Sequence, residues 1–179
     1  MARKKRGAEA PTWPDEIYDV LRAVDVRQVA YVPDAGHSRL IAACADDPRM
    51  HTVSLTTEEE GVALLAGAWL GGQRGVLLMQ SSGVGNCINM LGMIEECRFP
   101  LLALVTMRGE WGEFNPWQIP MGQGTAAALG AVGVITQRAD EPGRVAETVV
   151  SAARLAFDGS RAVAVLIGQR VIGTKEFKK

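Results

Sequence analysis

Three consecutive carboxylates stand where a predicted helix begins, at Glu58-Glu59-Glu60. The positive end of a helix dipole stabilises negative charge, so this position suits acidic residues for a purely structural reason. Glu58 comes directly after a predicted strand and cap, so its carboxylate could also be held partly dry and share a proton with a ring nitrogen of a ligand. The residues alone favour the structural role for all three.

A second polar segment, residues 80–87, follows a continuous apolar run and reads Gln-Ser-Ser-Gly-Val-Gly-Asn-Cys. Its two glycines predict a tight turn into a helix, whose first N–H groups could bind an anion. The segment lacks the third glycine of the dinucleotide fingerprint and the lysine of a P-loop. The pattern alone therefore favours a plain strand-to-helix turn over a ligand contact. Nucleotide binding also lacks an acidic ribose partner at the usual distance.

Two further places could take part in chemistry. His37 lies in a glycine-containing loop, where it could act as an acid or base near pH 7 or simply open a helix. Residues 108–118 place Trp111, Phe114 and Trp117 within seven positions of a predicted loop. Such side chains are expected to be covered by a ligand, by a partner subunit or by their own domain.

The elements that must position these residues alternate between strand and helix, which predicts an α/β fold with three layers and a mainly parallel sheet of about six strands. A long loop is predicted over residues 107–122. Predicted strands cover residues 29–32, 50–55, 75–80, 100–106, 132–135 and 162–167. Predicted helices cover residues 14–24, 38–45, 58–70 (capped by Thr57 and Glu60), 123–129 and 141–157, and another follows the glycine turn at 81–86 and ends near residue 96. Ligands of such sheets bind beyond the carboxyl ends of the strands, where all four polar segments fall.

The length of 179 residues, with 47% hydrophobic and 22% charged residues, predicts one globular domain over residues 14–170. The tails, residues 1–13 and 171–179, are basic and contain every lysine. Residues 7–174 contain 12 arginines against 19 acidic residues, a net charge of −7. This acidic body argues against nucleic acid as the main partner.

Three further features of the sequence indicate in which cellular compartment the protein resides. No apolar run is long enough for a bilayer, and the first 14 residues lack the apolar core of a secretory signal. The cysteines, Cys44, Cys87 and Cys97, show no paired spacing, and each is expected to be a buried, reduced thiol. We therefore expect a cytoplasmic protein, with no membrane partner and no metal site of its own.

Four motifs together resemble the pyrimidine-binding (Pyr) domain of thiamine-diphosphate-dependent decarboxylases. They occur in family order and span most of residues 14–168. The resemblance is strongest to the group of sulfopyruvate decarboxylase alpha subunits and phosphonopyruvate decarboxylases. The motifs are Val-Pro-Asp at 32–34, Glu-Glu-Glu-Gly-Val at 58–62 running into Ala-Gly-Ala-Trp-Leu at 66–70, Met-Gln-Ser-Ser-Gly-Val-Gly-Asn at 79–86, and Arg-Gly-Glu at 108–110 with Gln118 and Gly-Gln at 122–123.

The resemblance implies a role for each of these places. Glu58, with Glu59 as the fallback, would hydrogen-bond the pyrimidine ring nitrogen of thiamine diphosphate and so favour loss of carbon dioxide from a 2-oxo acid. Pro33, Ser82, Gly83 and Asn86 would lie on the cofactor side. Asp34 and Gln118 would lie on the substrate side. An anionic sulfonate or phosphonate tail would need cations, for which His37, Arg39 and Arg108 are candidates.

The family's diphosphate and magnesium site has the signature Gly-Asp-Gly followed by Asn-Asn, and neither string occurs in this sequence. The resemblance therefore implies a beta subunit that supplies this site, a hetero-oligomer, and an active site at the subunit interface. Residues 114–118 depart from the family pattern, which leaves room for a larger or less charged 2-oxo acid than sulfopyruvate. The alternative is a non-catalytic Pyr-like scaffold or regulatory module.

Overall fold

The structure, a computed structural model, describes residues 12–174 and consists of helices packed on both faces of one parallel sheet. Within these residues the sheet has six strands in the order β2-β1-β3-β4-β6-β5. The strands are β1 (Val26–Tyr31), β2 (His51–Ser54), β3 (Arg74–Gln80), β4 (Leu101–Thr106), β5 (Ile135–Ala139) and β6 (Ala162–Ile167). The helices are α1 (Trp13–Ala23), α2 (Ser38–Ala45), α3 (Glu58–Leu70), α4 (Ser81–Cys97), α5 (Ile119–Ala131), α6 (Val145–Phe157) and α7 (Gln169–Ile172).

The continuous apolar runs become the centre of the sheet, as the sequence predicts. Every residue of β4 and β6 is buried, because helices cover both faces of these strands. One core lies between the sheet and α1, α2 and α6, with Leu21 and Val149 among its members. The other lies beneath α3, α4 and α5, with Val62 and Leu91. The predicted three-layer α/β fold is confirmed.

Several predicted boundaries are wrong, and each has a physical reason. The glycine turn predicted at residues 81–86 does not form, because α4 begins at Ser81 and carries Gly83 and Gly85 inside its first turns. The strand predicted at residues 132–135 is instead β5, displaced toward the carboxyl end. β5 is a polar edge strand, so an apolar run is a poor guide to its position.

Other differences concern helix starts. Helix α5 begins at Ile119, so the loop after β4 is shorter than predicted, and a 3-10 turn, Pro116–Gln118, precedes the helix. Another 3-10 turn, Pro142–Arg144, precedes α6. Thr57 is the N-cap residue of α3 but makes no side-chain cap hydrogen bond, and Glu60 accepts from the backbone N–H of Thr56.

The predicted tails are only partly within the described residues. Helix α1 starts at Trp13, and the Asp15 carboxylate accepts from the backbone N–H of Thr12, so these residues belong to the domain. Helix α7 likewise includes positions 171 and 172. The basic segments predicted at residues 1–11 and 175–179 lie outside the described residues. No helix in residues 12–174 is long and apolar enough to cross a membrane.

Candidate active site

The predicted polar segments meet at the carboxyl edge of the sheet, around β1, β3 and β4. These strands are neighbours, and Gln80 at the end of β3 pairs with Thr106 at the end of β4. The connection after β1 passes over one face of the sheet and the connection after β3 passes over the other. This divergence opens a crevice between the two strand ends, where ligands of open α/β sheets bind.

Of the three adjacent glutamates, Glu58 is the one whose side chain lies at this edge of the sheet. Its side chain is nearly buried, with 7% of the residue exposed, whereas Glu59 and Glu60 are exposed. Its Oε2 accepts a hydrogen bond from Asn86 Nδ2 at 2.8 Å. The start of α3 therefore lies against the start of α4, and the carboxylate faces the first turn of that helix.

Gly83 makes this close approach possible. A Cβ atom at position 83 would overlap the Glu58 carboxylate, with Oε1 the nearest atom. The glycine is therefore required by contact between two helices, and the tight turn that the sequence predicts plays no part. Glu58, Gly83 and Asn86, three of the residues that the family resemblance assigns to the cofactor, form one cluster.

Asp34 organises the crevice between β1 and β3. Its Oδ2 accepts from Thr106 Oγ1 at 2.5 Å, and its Oδ1 accepts from Gln80 Nε2 at 2.9 Å. Gln80 in turn accepts a hydrogen bond from Ser82 Oγ at 3.1 Å. These bonds link the predicted substrate residue Asp34 to the predicted cofactor residue Ser82. Pro33 is exposed beside them.

His37 is fully buried below this network. Its Nε2 lies 3.0 Å from the Leu104 carbonyl oxygen, to which it donates, and its Nδ1 has no partner within residues 12–174. Burial lowers the pKa of His37, and the opposing charge of Asp34 does not reverse this direction. The imidazole is therefore neutral near pH 7 and offers no positive charge to an anion.

Arg108 and Glu113 form a buried ion pair in the loop after β4. Their side chains are only 7% and 3% exposed, and the contacts are Nε to Oε2 at 2.5 Å and Nη2 to Oε1 at 2.7 Å. The Arg108 hydrogen bonds are the main reason that the pKa of Glu113 falls to about 2. The guanidinium charge is thus balanced inside the loop.

The remaining predicted substrate residues differ in their surroundings. Arg39 binds the Asp15 carboxylate of α1 through Nε at 2.8 Å and Nη2 at 2.7 Å, an arrangement on the protein surface. Gln118 lies in the 3-10 turn before α5, and its buried Oε1 has no hydrogen-bond partner among the described residues. The roles of Arg39, Arg108, His37 and Gln118 toward a substrate stay predictions, but both arginines already have a carboxylate partner.

Two of the three cysteines are buried, as predicted, and one is not. Burial raises the pKa of both Cys44 and Cys87 to about 12, and the charge of Glu58 contributes at Cys87. Cys97 is exposed at the end of α4, so the prediction that it is a buried thiol is wrong. The last residues of α4, Glu95 and Glu96 with Cys97, are all exposed, and residue type alone does not reveal where a helix leaves the core.

Large apolar side chains are exposed in the loop after β4 and at the start of α5. Trp117 is 83% exposed, and Trp111, Phe114 and Ile119 are exposed as well. Met121 of α5 lies beside Gly85 of α4, 3.4 Å from where a Cβ would stand. Helix α5, which begins at Ile119, therefore packs against α4, the helix that carries Gly83 and Asn86. We call the four exposed side chains, Trp111, Phe114, Trp117 and Ile119, the aromatic surface.

Some residues of the site carry no signal in the sequence. Glu113 was not expected to pair with Arg108, because an arginine and a glutamate five positions apart in a loop have no fixed geometry. Gln169 follows β6 and reaches back to the same loop, a contact between segments 59 positions apart. Only its place at a strand's carboxyl end could have drawn attention to it.

The part of the chain that carries Glu58, Gly83 and Asn86 matches a known protein family. Residues 12–115 match the family of thiamine pyrophosphate enzymes, N-terminal TPP binding domain. This match covers more than half of the chain. The chain belongs to this family.

Its relatives within the thiamine pyrophosphate enzymes include decarboxylase subunits of similar length. The chain is 32% identical to "Sulfopyruvate decarboxylase subunit alpha" of Methanococcus maripaludis, over 86% of this chain and 92% of that protein. It is 30% identical to the protein of the same name from Methanocaldococcus jannaschii, over 84% and 89% of the two chains. It is 38% identical to a phosphonopyruvate decarboxylase of Streptomyces viridochromogenes, but over only 52% of this chain and 24% of the longer protein.

The fold has a solved counterpart in a larger enzyme. A 2-oxoglutarate:ferredoxin oxidoreductase from Magnetococcus marinus superposes with a TM-score of 0.68, over 96% of this chain and 32% of that one. The sequence identity is 14%, so this likeness concerns the fold alone. The fold of that part of the oxidoreductase is thus present over nearly the whole chain.

Proposed function

We propose that this chain is the pyrimidine-binding alpha subunit of a two-subunit, thiamine-diphosphate-dependent 2-oxo acid decarboxylase, a carbon–carbon lyase. The observation that supports this proposal most is the nearly buried Glu58 carboxylate, held by Asn86 and set against Gly83 at the carboxyl edge of the sheet. The similarity to sulfopyruvate decarboxylase alpha subunits supports the same conclusion.

The residues present fit a pyrimidine ring. Asn86 donates a hydrogen bond to Oε2 of Glu58. The other oxygen, Oε1, would be blocked by any side chain at position 83, and Gly83 has none. Glu58 would accept a hydrogen bond from a protonated ring nitrogen and hold that proton near the carboxylate. When bound, thiamine diphosphate supplies the nucleophilic carbon and the electron sink for decarboxylation. Asn86 orients the carboxylate, and Ser82 and Pro33 complete the cofactor side.

The diphosphate and its magnesium ion are assigned in this proposal to a beta subunit. The aromatic surface supports such a partner, because large exposed apolar side chains are typical of sites where another protein binds. Helix α5 directly follows Trp117 and packs against α4, which carries Gly83 and Asn86, and this supports an interface beside the cofactor. Assembly would exclude water from the carboxylate, which strengthens its interaction with a ring nitrogen. The protein would act in the cytoplasm.

We propose a sulfopyruvate-like substrate first and a phosphonopyruvate-like substrate second. Asp34 and Gln118 are the substrate-side residues. The buried Oε1 of Gln118, which has no partner within residues 12–174, suits a hydrogen-bond donor on a ligand. An anionic tail that binds Arg108 or Arg39 would have to share the guanidinium with Glu113 or Asp15. This competition is also consistent with a less charged 2-oxo acid.

The experiment is co-expression of this chain with a candidate diphosphate-binding chain, one that contains Gly-Asp-Gly and Asn-Asn and is sought in the neighbouring reading frame. The purified pair is assayed for carbon dioxide release with thiamine diphosphate and magnesium. The substrates are sulfopyruvate, phosphonopyruvate and 2-oxo acids with uncharged tails. Release that needs both chains is the expected result. A pair that neither assembles nor binds thiamine diphosphate would overturn the proposal and favour a non-catalytic scaffold or regulatory module.

A further inference from the structure

Gln169, which the proposed mechanism does not use, is a buried hydrogen-bonding centre. The residue is 1% exposed. Its Oε1 accepts from the backbone N–H groups of Glu110 at 2.9 Å and Trp111 at 3.0 Å. Its Nε2 donates to Glu113 Oε2 at 3.0 Å. One side chain therefore fixes both the backbone and the buried ion pair of the loop after β4.

The short helix α7 contacts the same loop at two further places. The guanidinium of Arg170 lies over the Trp111 ring, 5.4 Å from its centroid. Thr174 lies beside Gly112, where a Cβ would approach its methyl group to 2.8 Å. Because β4 and β6 are adjacent, the segments that follow them are held together where both leave the sheet. The chain after β6 thus secures the loop after β4.

The chemistry of position 169 is specific to a long amide side chain. It must accept from two backbone N–H groups and donate to a carboxylate, and a neutral amide can do both. A glutamate would fulfil the first requirement but would face Glu113 with a second negative charge. A leucine of similar volume would leave two partly buried N–H groups without their present acceptor, which is costly. Position 169 therefore requires the donor and acceptor groups of an amide as well as a side chain of suitable volume.

We propose that Gln169 is the positioning residue that sets the conformation of residues 107–118, and thereby presents the aromatic surface to the partner subunit. The part that concerns the partner rests on the proposed function. The part that concerns the loop does not, because it follows from contacts within this chain. Gln169 acts through Glu113 and Arg108, which are buried and ion-paired, and it need not touch substrate or cofactor.

The test uses Gln169→Glu in the full chain, with hydrogen exchange of the Glu110 and Trp111 amides measured against the wild-type protein at each pH. Among the described residues, two carboxylates contact Gln169 directly: Glu113, paired with Arg108, and Glu110, paired with Arg138. Asp140, also paired with Arg138, and Arg170, over the Trp111 ring, line the same surface pocket. At low pH, the new carboxyl group at position 169 and the carboxyl group of Glu113 share one proton. This proton replaces the hydrogen bond that the Gln169 amide donates to Glu113 in the wild-type chain. At higher pH the two negative charges repel each other and release the loop.

The expected result is exchange at least about tenfold faster than wild type at pH 8, and close to wild type at pH 5. Gln28→Glu, the same change near the opposite edge of the sheet, should leave these amides unaffected. Gln169→Leu should lose protection at both pH values. Wild-type protection in Gln169→Leu, or an equal loss in Gln169→Glu at pH 5 and pH 8, would overturn the proposal.

A second measurement separates this inference from the proposed function. Complex formation with the co-expressed diphosphate-binding chain is compared at pH 5 and pH 8. We expect the affinity of Gln169→Glu to fall about tenfold relative to wild type at pH 8 only. Unchanged affinity despite a released loop would overturn the role toward the partner. If the wild-type chain forms no complex, the proposed function fails, while hydrogen exchange still decides the role of Gln169 in the loop.

Discussion

Asn86 Nδ2 and Glu58 Oε2 lie 2.8 Å apart, although 28 positions separate the two residues in the chain. The bond joins the second turn of α4 to the first residue of α3, and it fixes the carboxylate that the proposed function needs.

Glu58→Gln should abolish most of the activity of the assembled enzyme and leave the fold unchanged. The glutamine has the same shape but cannot hold the proton of a ring nitrogen, so we expect a loss of about 10²–10⁴-fold in kcat. The measurement is carbon dioxide release by the two-subunit complex. Glu59→Gln, a change at an exposed neighbour, is the matched control. If that variant loses activity and Glu58→Gln does not, Glu59 is the functional glutamate.

Gly83→Ala should disturb the site through steric overlap. The new methyl group would collide with the Glu58 carboxylate, so we expect lower activity and a free energy of unfolding reduced by about 1–3 kcal/mol. Gly92→Ala is the control in the same helix, because a Cβ there meets nothing within 4 Å. Alanine should stabilise that position by about 0.5–1 kcal/mol. Urea unfolding of both variants checks this, and equal effects at the two positions would contradict the collision.

Glu113 should make the stability of the chain depend on pH in acid. Its pKa is about 2 in the folded protein, below the ordinary value of 4.5. Its contribution to stability is therefore complete above pH 4.5 and is lost as the pH falls toward 2. Glu113→Gln removes this dependence and leaves Arg108 buried without a charge partner, a change that costs about 3–5 kcal/mol near pH 7.

The corresponding measurement is urea unfolding of wild type and Glu113→Gln from pH 7 to the lowest pH at which both still fold. The difference between their free energies of unfolding should shrink as the medium becomes more acidic. Because the other carboxylates are common to both proteins, the difference isolates position 113. A difference that stays constant down to pH 3 would show that the Glu113 carboxyl does not titrate as proposed.

Trp117 should matter for assembly and hardly at all for folding. It is 83% exposed, so Trp117→Ala should change the free energy of unfolding by no more than about 0.5 kcal/mol. A tryptophan at the centre of an interface contributes about 2 kcal/mol or more, so the Kd for the partner should rise at least about thirtyfold. Calorimetry or co-purification measures this. Leu70→Ala, at an exposed residue at the far end of α3, should leave the Kd unchanged.

Only one of the three thiols should react readily with a thiol reagent in the native protein at pH 8. Cys44 and Cys87 are buried and their pKa values are about 12, so almost none of either is thiolate. Cys97 is exposed and should account for the rapid phase. Cys97→Ser should remove that phase, and denaturant should restore reaction at the other two. Rapid modification of two thiols in the folded chain would contradict the burial of Cys44 or Cys87.

The fold class followed from the sequence because its cause is local. Continuous apolar runs such as β4 and β6 can be buried only in a sheet that is covered on both faces, and helical patterns between them require parallel connections. The carboxylate at Glu58 and the glycine at Gly83 could likewise be placed at the ends of particular strands. The family resemblance then connected these positions to one cofactor.

What only the tertiary structure decided is which side chains pair. The sequence shows Arg108 as a cation available to a substrate, but Glu113 balances it inside the loop. Gly83 looks like part of a turn, but it is the place where two helices approach over a carboxylate. Gln169 has no pattern at all, since its partners follow a different strand. Hydrogen bonds and ion pairs between distant segments depend on strand order and register, and apolar periodicity encodes neither of these.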